Sequence, residues 1–175
     1  MDKEKLEHIR RLVKADDKYK AFKKSVEKNP NLVMPFEDLH EELDRMHKTR
    51  SVRSLSRRNK RFTEAVMDAN LQDQQYRSRC SEIMSSTLPF TGTFQETLTN
   101  LRDYLLLEYG KRIGGTKHER QQFMENVLRP FFRRLHKVDQ LKSHCKFIME
   151  DIDQAGYTFK NMIEYIKLLG KPESV

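Results

Sequence analysis

The sequence predicts an all-α protein, a helical bundle of long amphipathic helices that assembles into an oligomer. Three observations predict it. Apolar residues recur at three- and four-residue spacing from Phe36 to Leu169, the period of one helix face. No run alternates apolar and polar residues as a half-buried strand does. Apolar residues make up 37% of the 175 and charged residues 34%, enough for a modest core but leaving some helices to project beyond it or to bury a face against other subunits.

Residues 2–28 read as one charged helix. Leu6, Ile9, Leu12 and Val13 form a narrow stripe, continued by Tyr19, Phe22 and Val26, and Pro30 ends it. The segment 29–35 reads as a linker, so residues 1–33 are expected to be a charged helical arm beside a main domain over 34–170. Residues 36–47, FEDLHEELDRMH, form a short acidic helix with Phe36, Leu39, Leu43 and Met46 on one face.

The charge then inverts. Residues 48–61, KTRSVRSLSRRNKR, carry Lys48, Arg50, Arg53, Arg57, Arg58, Lys60 and Arg61 with no acid. Such a block repels itself unless an anion lies against it, and guanidinium and ammonium groups hold phosphates while releasing counterions. Ser51, Ser54 and Ser56 add neutral donors.

A long helix is expected from about Ser54 to Met84. Leu55, Phe62, Ala69, Tyr76 and Ile83 lie seven apart, with Val66 and Cys80 four after Phe62 and Tyr76, and Asp73 interrupts the seam. This pattern serves either an ordinary bundle helix or a seam between subunits. Residues 85–93, SSTLPFTGT, read as a turn around Pro89 and Gly92. A helix over 94–109 follows, with Phe94, Leu98, Leu101 and Leu105 on one face and Tyr104, Leu106, Leu107 and Tyr109 widening it.

The next segment, 110–120, places Gly110, Gly114 and Gly115 among Lys111, Arg112, Lys117 and Arg120. It reads as a flexible basic loop. Glycines let a backbone approach a ligand closely, and Tyr104 and Tyr109 beside it could stack on bases. The order of lysine and hydroxyl residues excludes a Walker loop. From 119 to 154 one apolar stripe runs through Met124, Leu128, Phe131, Leu135, Val138, Leu141, Cys145, Ile148 and Ile152. Pro130 interrupts it as a kink or tight break. Arg129, Arg133, Arg134, His136 and Lys137 fall on its polar side. Gly156 reads as the left-handed stop, and Phe159, Met162, Ile163, Ile166 and Leu169 mark a last helix over 157–169.

The composition excludes several classes. No segment approaches about 18 consecutive apolar residues, so no membrane span is expected. The opening MDKEKLEHIRRLVK is too charged for a secretory signal. Cys80 and Cys145 sit in no CxxC or Cys/His cluster and are expected to be reduced thiols on apolar faces, in a cytoplasmic setting. The six histidines show no metal-ligand spacing and no nucleophile–base pair is evident, so neither metal, cofactor nor catalysis is expected. A net charge of +8 points to an acidic partner.

The order of segments resembles a known family. FEDLHEEL is followed by RFTEAVMDANLQDQQY, then LLLEYGKR, then AGYTFKNMIEYIKLLG. Over residues 34–170 this is similar to the UvsY-like family of phage recombination mediators, with Gly156, Tyr157, Phe159, Lys160, Asn161 and Ile163 matching its closing pattern. The resemblance implies a ring-shaped homo-oligomer in a phage-infected host cytoplasm. That ring would wrap single-stranded DNA and help load a RecA-like recombinase against a single-strand-binding protein, in recombination, repair and replication. It also implies oligomer contacts from the C-terminal helices. Where the family carries a lysine, an arginine and paired tyrosines, this chain offers Arg102 and Tyr109, the latter preceded by Glu108. DNA contact is therefore expected to involve Lys111, Arg112, Lys117 and the 48–61 run. The alternative is a structural adaptor whose basic helices dock on an acidic protein, and a third class is a module on anionic membranes.

Overall fold

The all-α class expected is what the computed structural model has: five α-helices and one 3-10 turn, with no strand among the described residues, 3–51 and 62–169. The helices are α1 (Lys3–Ala15), α2 (Asp17–Lys28), α3 (Phe36–Ser51), α4 (Phe62–Ile113) and α5 (Lys117–Leu169).

Where one helix was expected over 2–28, there are two. Asp16 breaks the run because its carboxylate accepts from the backbone N–H groups of Lys18 and Tyr19, at 2.9 and 3.3 Å, and caps α2. Before Pro30, Asn29 is extended, as sterics with a following proline require. The 3-10 turn Pro30–Leu32 follows. In α3, Glu37 and Asp38 occupy the first turn and Lys48 and Arg50 the last, matching the helix dipole at both ends.

Three sequence breakers do not end a helix. Residues 85–93 continue α4 instead of turning. The inward face passes through Ile83, Thr87, Thr91, Phe94 and Leu98, all buried, so two threonines carry the period that the apolar pattern lacked. The Thr91 hydroxyl donates to the Thr87 carbonyl at 2.7 Å, which lets it be buried. Likewise α5 runs through Pro130 and through Gly156, where a stop was expected. Tertiary burial on both sides, from Leu128 to Phe131 and from Ile152 to Phe159, outweighs the local cost.

The only left-handed glycines among the described residues are Gly114 (φ 75°) and Gly115 (φ 73°). They confine the expected 110–120 loop to the short turn 114–116. Thr116 and Glu119 then form a capping box: Thr116 N–H donates to Glu119 Oε2 at 2.7 Å, and Glu119 N–H to Thr116 Oγ1 at 3.2 Å.

The chain divides into two compact units, to each of which α4 and α5 contribute. The first joins Met1–Phe36 to Ser86–Gln140. Residues 3–28, expected as an arm, pack inside it. Phe22 stacks on Phe94 with ring centroids 5.5 Å apart and meets Phe131 edge-on at 5.0 Å, while Tyr19 meets Phe131 edge-on at 5.7 Å. Each such pair adds about 0.5–1.5 kcal/mol beyond burial.

The second unit joins Glu37–Ser85 to Leu141–Val175. Its core contains Leu43, Met46, Ile83, Leu141, Ile148 and the free, fully buried thiols of Cys80 and Cys145. Phe62, Val66, Ala69 and Phe159 form a cluster with Ala155, Met162 and Ile163 against it. Of the described heptad seam of α4, Phe62, Val66, Ala69, Cys80 and Ile83 are buried within their own unit and Tyr76 is half-buried. The seam's interruption, Asp73, is 2% exposed and faces Arg50.

Candidate nucleic-acid interface

The residues expected to hold phosphate fall into three groups. Arg53, Arg57, Arg58, Lys60 and Arg61 lie outside the described residues. Lys48 is exposed on the last turn of α3. Arg50, two residues on, is not a surface cation at all. Its side chain is 6% exposed and holds Asp73 through Nε at 3.0 Å and Nη2 at 3.4 Å, the Asp151 carboxylate through Nη1, and the Asp151 carbonyl through Nη2 at 3.1 Å. With four of its five N–H donors engaged and its side chain buried, Arg50 has little to offer a phosphate. Arg50 is withdrawn from the interface.

Arg102 is half-buried beside Asp103, with Nε and Oδ1 3.0 Å apart. Tyr104 and Tyr109, considered for base stacking, converge on Asp16. The Tyr109 hydroxyl donates to Asp16 Oδ2 at 2.9 Å and that of Tyr104 approaches it at 3.5 Å. Lys18 Nζ lies 3.7 Å from the Tyr104 ring centroid, on a face that a base would need. Desolvation, then the hydrogen bond to and the charge of Asp16, push the Tyr109 phenol up to about 12. Desolvation followed by the charge of Asp16 raises Tyr104 as well. Both rings are therefore tied into the first unit, and stacking by them is not what the contacts favour.

Lys111, Arg112 and Lys117 remain. The first two close α4 and the third opens α5, across the turn 114–116. All three side chains are exposed, and among the described residues none has an ion-pair partner. Arg112 lies 5.8 Å from the Tyr109 ring centroid. Arg120, by contrast, is structural: its guanidinium donates to the carbonyls of Gly114 and Gly115, at 3.3 Å and 2.8 Å, and holds the turn. The turn thus presents three cations on a fixed backbone.

Sequence reasoning missed a second basic surface. Arg10, Lys14, Lys20, Lys23 and Arg134 line one cleft of about 560 Å³ in the first unit. They come from α1, α2 and α5, and only Arg134 had been singled out, as part of a helix's polar side. No linear run signals the cleft, because its cations are gathered by packing.

Among the described residues no group of three or more His, Cys, Asp or Glu side chains is placed to hold a metal ion. No helix among them is long and apolar enough to cross a membrane. No protein-family model, curated protein or solved structure matches this chain.

Proposed function

We propose that this protein binds single-stranded DNA without catalysis and acts as a recombination mediator that helps load a RecA-like recombinase. The observation that carries the binding step is the α4–α5 turn: Lys111, Arg112 and Lys117 are exposed and free of ion pairs among the described residues, around two glycines in the left-handed conformation. Cations in that state gain most from replacing counterions on a phosphate chain. The acid-free segment 48–61, in which Lys48 is exposed, offers further cations of the kind that hold phosphates. The net charge of +8 supports attraction at long range, and the order of segments resembling the UvsY-like family supports the mediator role. Oligomerisation into a ring would align the turns of successive subunits along one strand.

The test is binding of oligo-dT as a function of salt. Three phosphate contacts on a single strand correspond to a slope of about −2 in log K against log salt. Reversing Lys111, Arg112 and Lys117 to glutamate should weaken binding and remove about that much slope. Reversing Arg57, Arg58, Lys60 and Arg61 should remove a further share. Binding that ignores salt, or that both variants leave unchanged, overturns this reading. The adaptor reading would then stand in its place, with an acidic protein as the partner.

A further inference from the structure

The cleft of the first unit has the composition of a ligand site. Five cations line it, Arg10 and Lys14 from α1, Lys20 and Lys23 from α2, and Arg134 from α5, against the single carboxylate of Glu27. Its volume, about 560 Å³, is that of a small-molecule site and not of a flat surface. Its floor is apolar, with Tyr19 and Phe131 at 6% and 5% exposure.

The cations differ in how far they are committed. Arg10 pairs with Glu7 at 3.1 Å, Lys20 with Asp17 at 3.7 Å and Lys23 with Glu27 at 3.7 Å. All three are exposed pairs within one helix, which are weak and readily exchanged. Lys14 has no ion pair among the described residues. Arg134 is the most telling. Its Nη1 is buried and has no hydrogen-bond acceptor among the described residues. Buried guanidinium donors are ordinarily satisfied, and the fold itself supplies this one with no acceptor among the described residues. Pro130 adds a second feature. It lies within α5 and has no N–H to give the carbonyl four residues earlier, that of Asn126, and both residues line the cleft.

We propose that this cleft binds a nucleoside phosphate, either free or as one unit of a strand. The charge excess and the planar fork of Arg134 suit phosphate oxygens. The floor of Tyr19, Val26, Val127 and Phe131 suits the apolar face of a base or sugar. A ligand of charge alone would leave that floor unused, and an apolar ligand would leave five cations facing one carboxylate. The adjoining hollow, lined by Lys3, Glu7, Arg10 and Glu119 among others, is mixed in sign, so the cationic field belongs to this cleft.

The inference does not rest on strand binding at the α4–α5 turn, and the experiment keeps the two apart. The full chain is titrated calorimetrically with ADP, inorganic pyrophosphate, adenosine and a short oligo-dT, alongside Arg134→Met, Lys14→Gln and, as a control outside the cleft, Arg129→Met. ADP is expected to bind more tightly than pyrophosphate or adenosine. Arg134→Met and Lys14→Gln should each weaken it by about tenfold, the loss of one charge-assisted contact. Arg129→Met should leave it unchanged. Arg134→Met should melt no lower than the parent chain, since the Nη1 donor it removes has no acceptor to lose. Should it fail to fold, Lys14→Gln carries the same readout. Displacement of ADP by oligo-dT identifies a strand unit as the occupant, and its absence identifies the free nucleotide. No heat with ADP, pyrophosphate or oligo-dT sinks the proposal. So does an equal loss in Arg129→Met and Arg134→Met, which would reduce the effect to net charge. Binding of pyrophosphate as tight as that of ADP overturns the nucleoside part.

Discussion

Arg50 Nε lies 3.0 Å from Asp73 Oδ1, and both side chains are almost wholly buried, at 6% and 3% exposure. The pair joins the last turn of α3 to the point where the heptad seam of α4 is interrupted. Two oddities of the sequence therefore explain one another. The polar residue in an apolar seam has a cation that reaches it, and among the described cations of the basic run Arg50 faces inward while Lys48 is exposed.

The first prediction follows from that burial. Arg50→Met leaves the Asp73 carboxylate without its charged partner at a buried site and should cost about 3–5 kcal/mol in urea unfolding. The double variant Arg50→Met with Asp73→Leu should recover most of the loss, because two well-packed apolar groups replace a buried pair at little cost. Recovery of none of it would mean that Asp151, Arg50's other partner, is the essential contact.

The difference between Arg50 and Lys111 shows what a sequence carries and what it omits. Periodicity is local, so the faces of α1, α3 and α5 were legible from the spacing of residues such as Ile9, Leu43 and Leu141, all buried. Helix ends were less so. Pro89, Gly92 and Gly156 favour breaks by intrinsic propensity, and only burial of Thr87, Thr91 and Phe159 on either side overrides it. Site membership was least legible. Arg50 and Lys111 are both cations beside helix ends, but one meets a carboxylate 23 residues on and the other does not. The cleft cations come from three helices, and no window of sequence contains them together.

Asp16 does two tasks at once, capping α2 and accepting from Tyr109. Asp16→Ala should therefore cost more than an ordinary cap, about 2–3 kcal/mol by thermal or urea unfolding, where a cap alone is worth about 1. Asp16→Asn keeps most of the capping but removes the charge, and the Tyr109 phenol should then titrate lower than about 12 in an ultraviolet absorbance titration. Because the folded protein holds that proton to a higher pH than the unfolded chain, whose phenols titrate near 10, Tyr109 stabilises the fold below pH 10. That contribution is lost as pH rises from 10 toward 12, and the loss should be smaller in Asp16→Asn. A titration identical in parent and variant would separate Tyr109 from Asp16.

His144 should make stability fall on the acid side. Its Nδ1 lies 3.1 Å from that of His40, and the two rings are stacked 5.4 Å apart. Desolvation lowers the His144 pKa from 6.5, the Asp44 carboxylate opposes the shift, and the charges of His40 and His47 reinforce it. The unfolded chain therefore takes up a proton at a higher pH than the folded one. As pH drops below 6.5 the unfolded state is favoured, until the folded histidine also protonates. Urea midpoints measured at pH 7.5 and 5.5 should differ more in the parent than in His144→Gln. An unchanged difference would place the acid sensitivity elsewhere.

The two left-handed glycines of the α4–α5 turn should respond differently to one substitution. Both have φ near +75°, where asparagine is the best-tolerated side chain, so backbone strain is similar at each. Space is not similar. A Cβ on Gly114 meets nothing within 4 Å, but one on Gly115 comes 2.6 Å from Glu119 Oε2. That oxygen is the acceptor of the capping box, bonded to Thr116 N–H. Gly115→Asn must push Glu119 away and forfeit the cap, whereas Gly114→Asn keeps it. Gly114→Asn should cost about 1 kcal/mol and Gly115→Asn about 2, the extra being the lost capping bond. In a Glu119→Ala background the cap is already gone and the clash is relieved, so the two asparagine variants should become equal in stability. If Gly115→Asn remains the worse of the two there, the strain lies in the backbone and not against Glu119. Since no cation is removed by either change, the salt slope of oligo-dT binding should stay that of the parent chain.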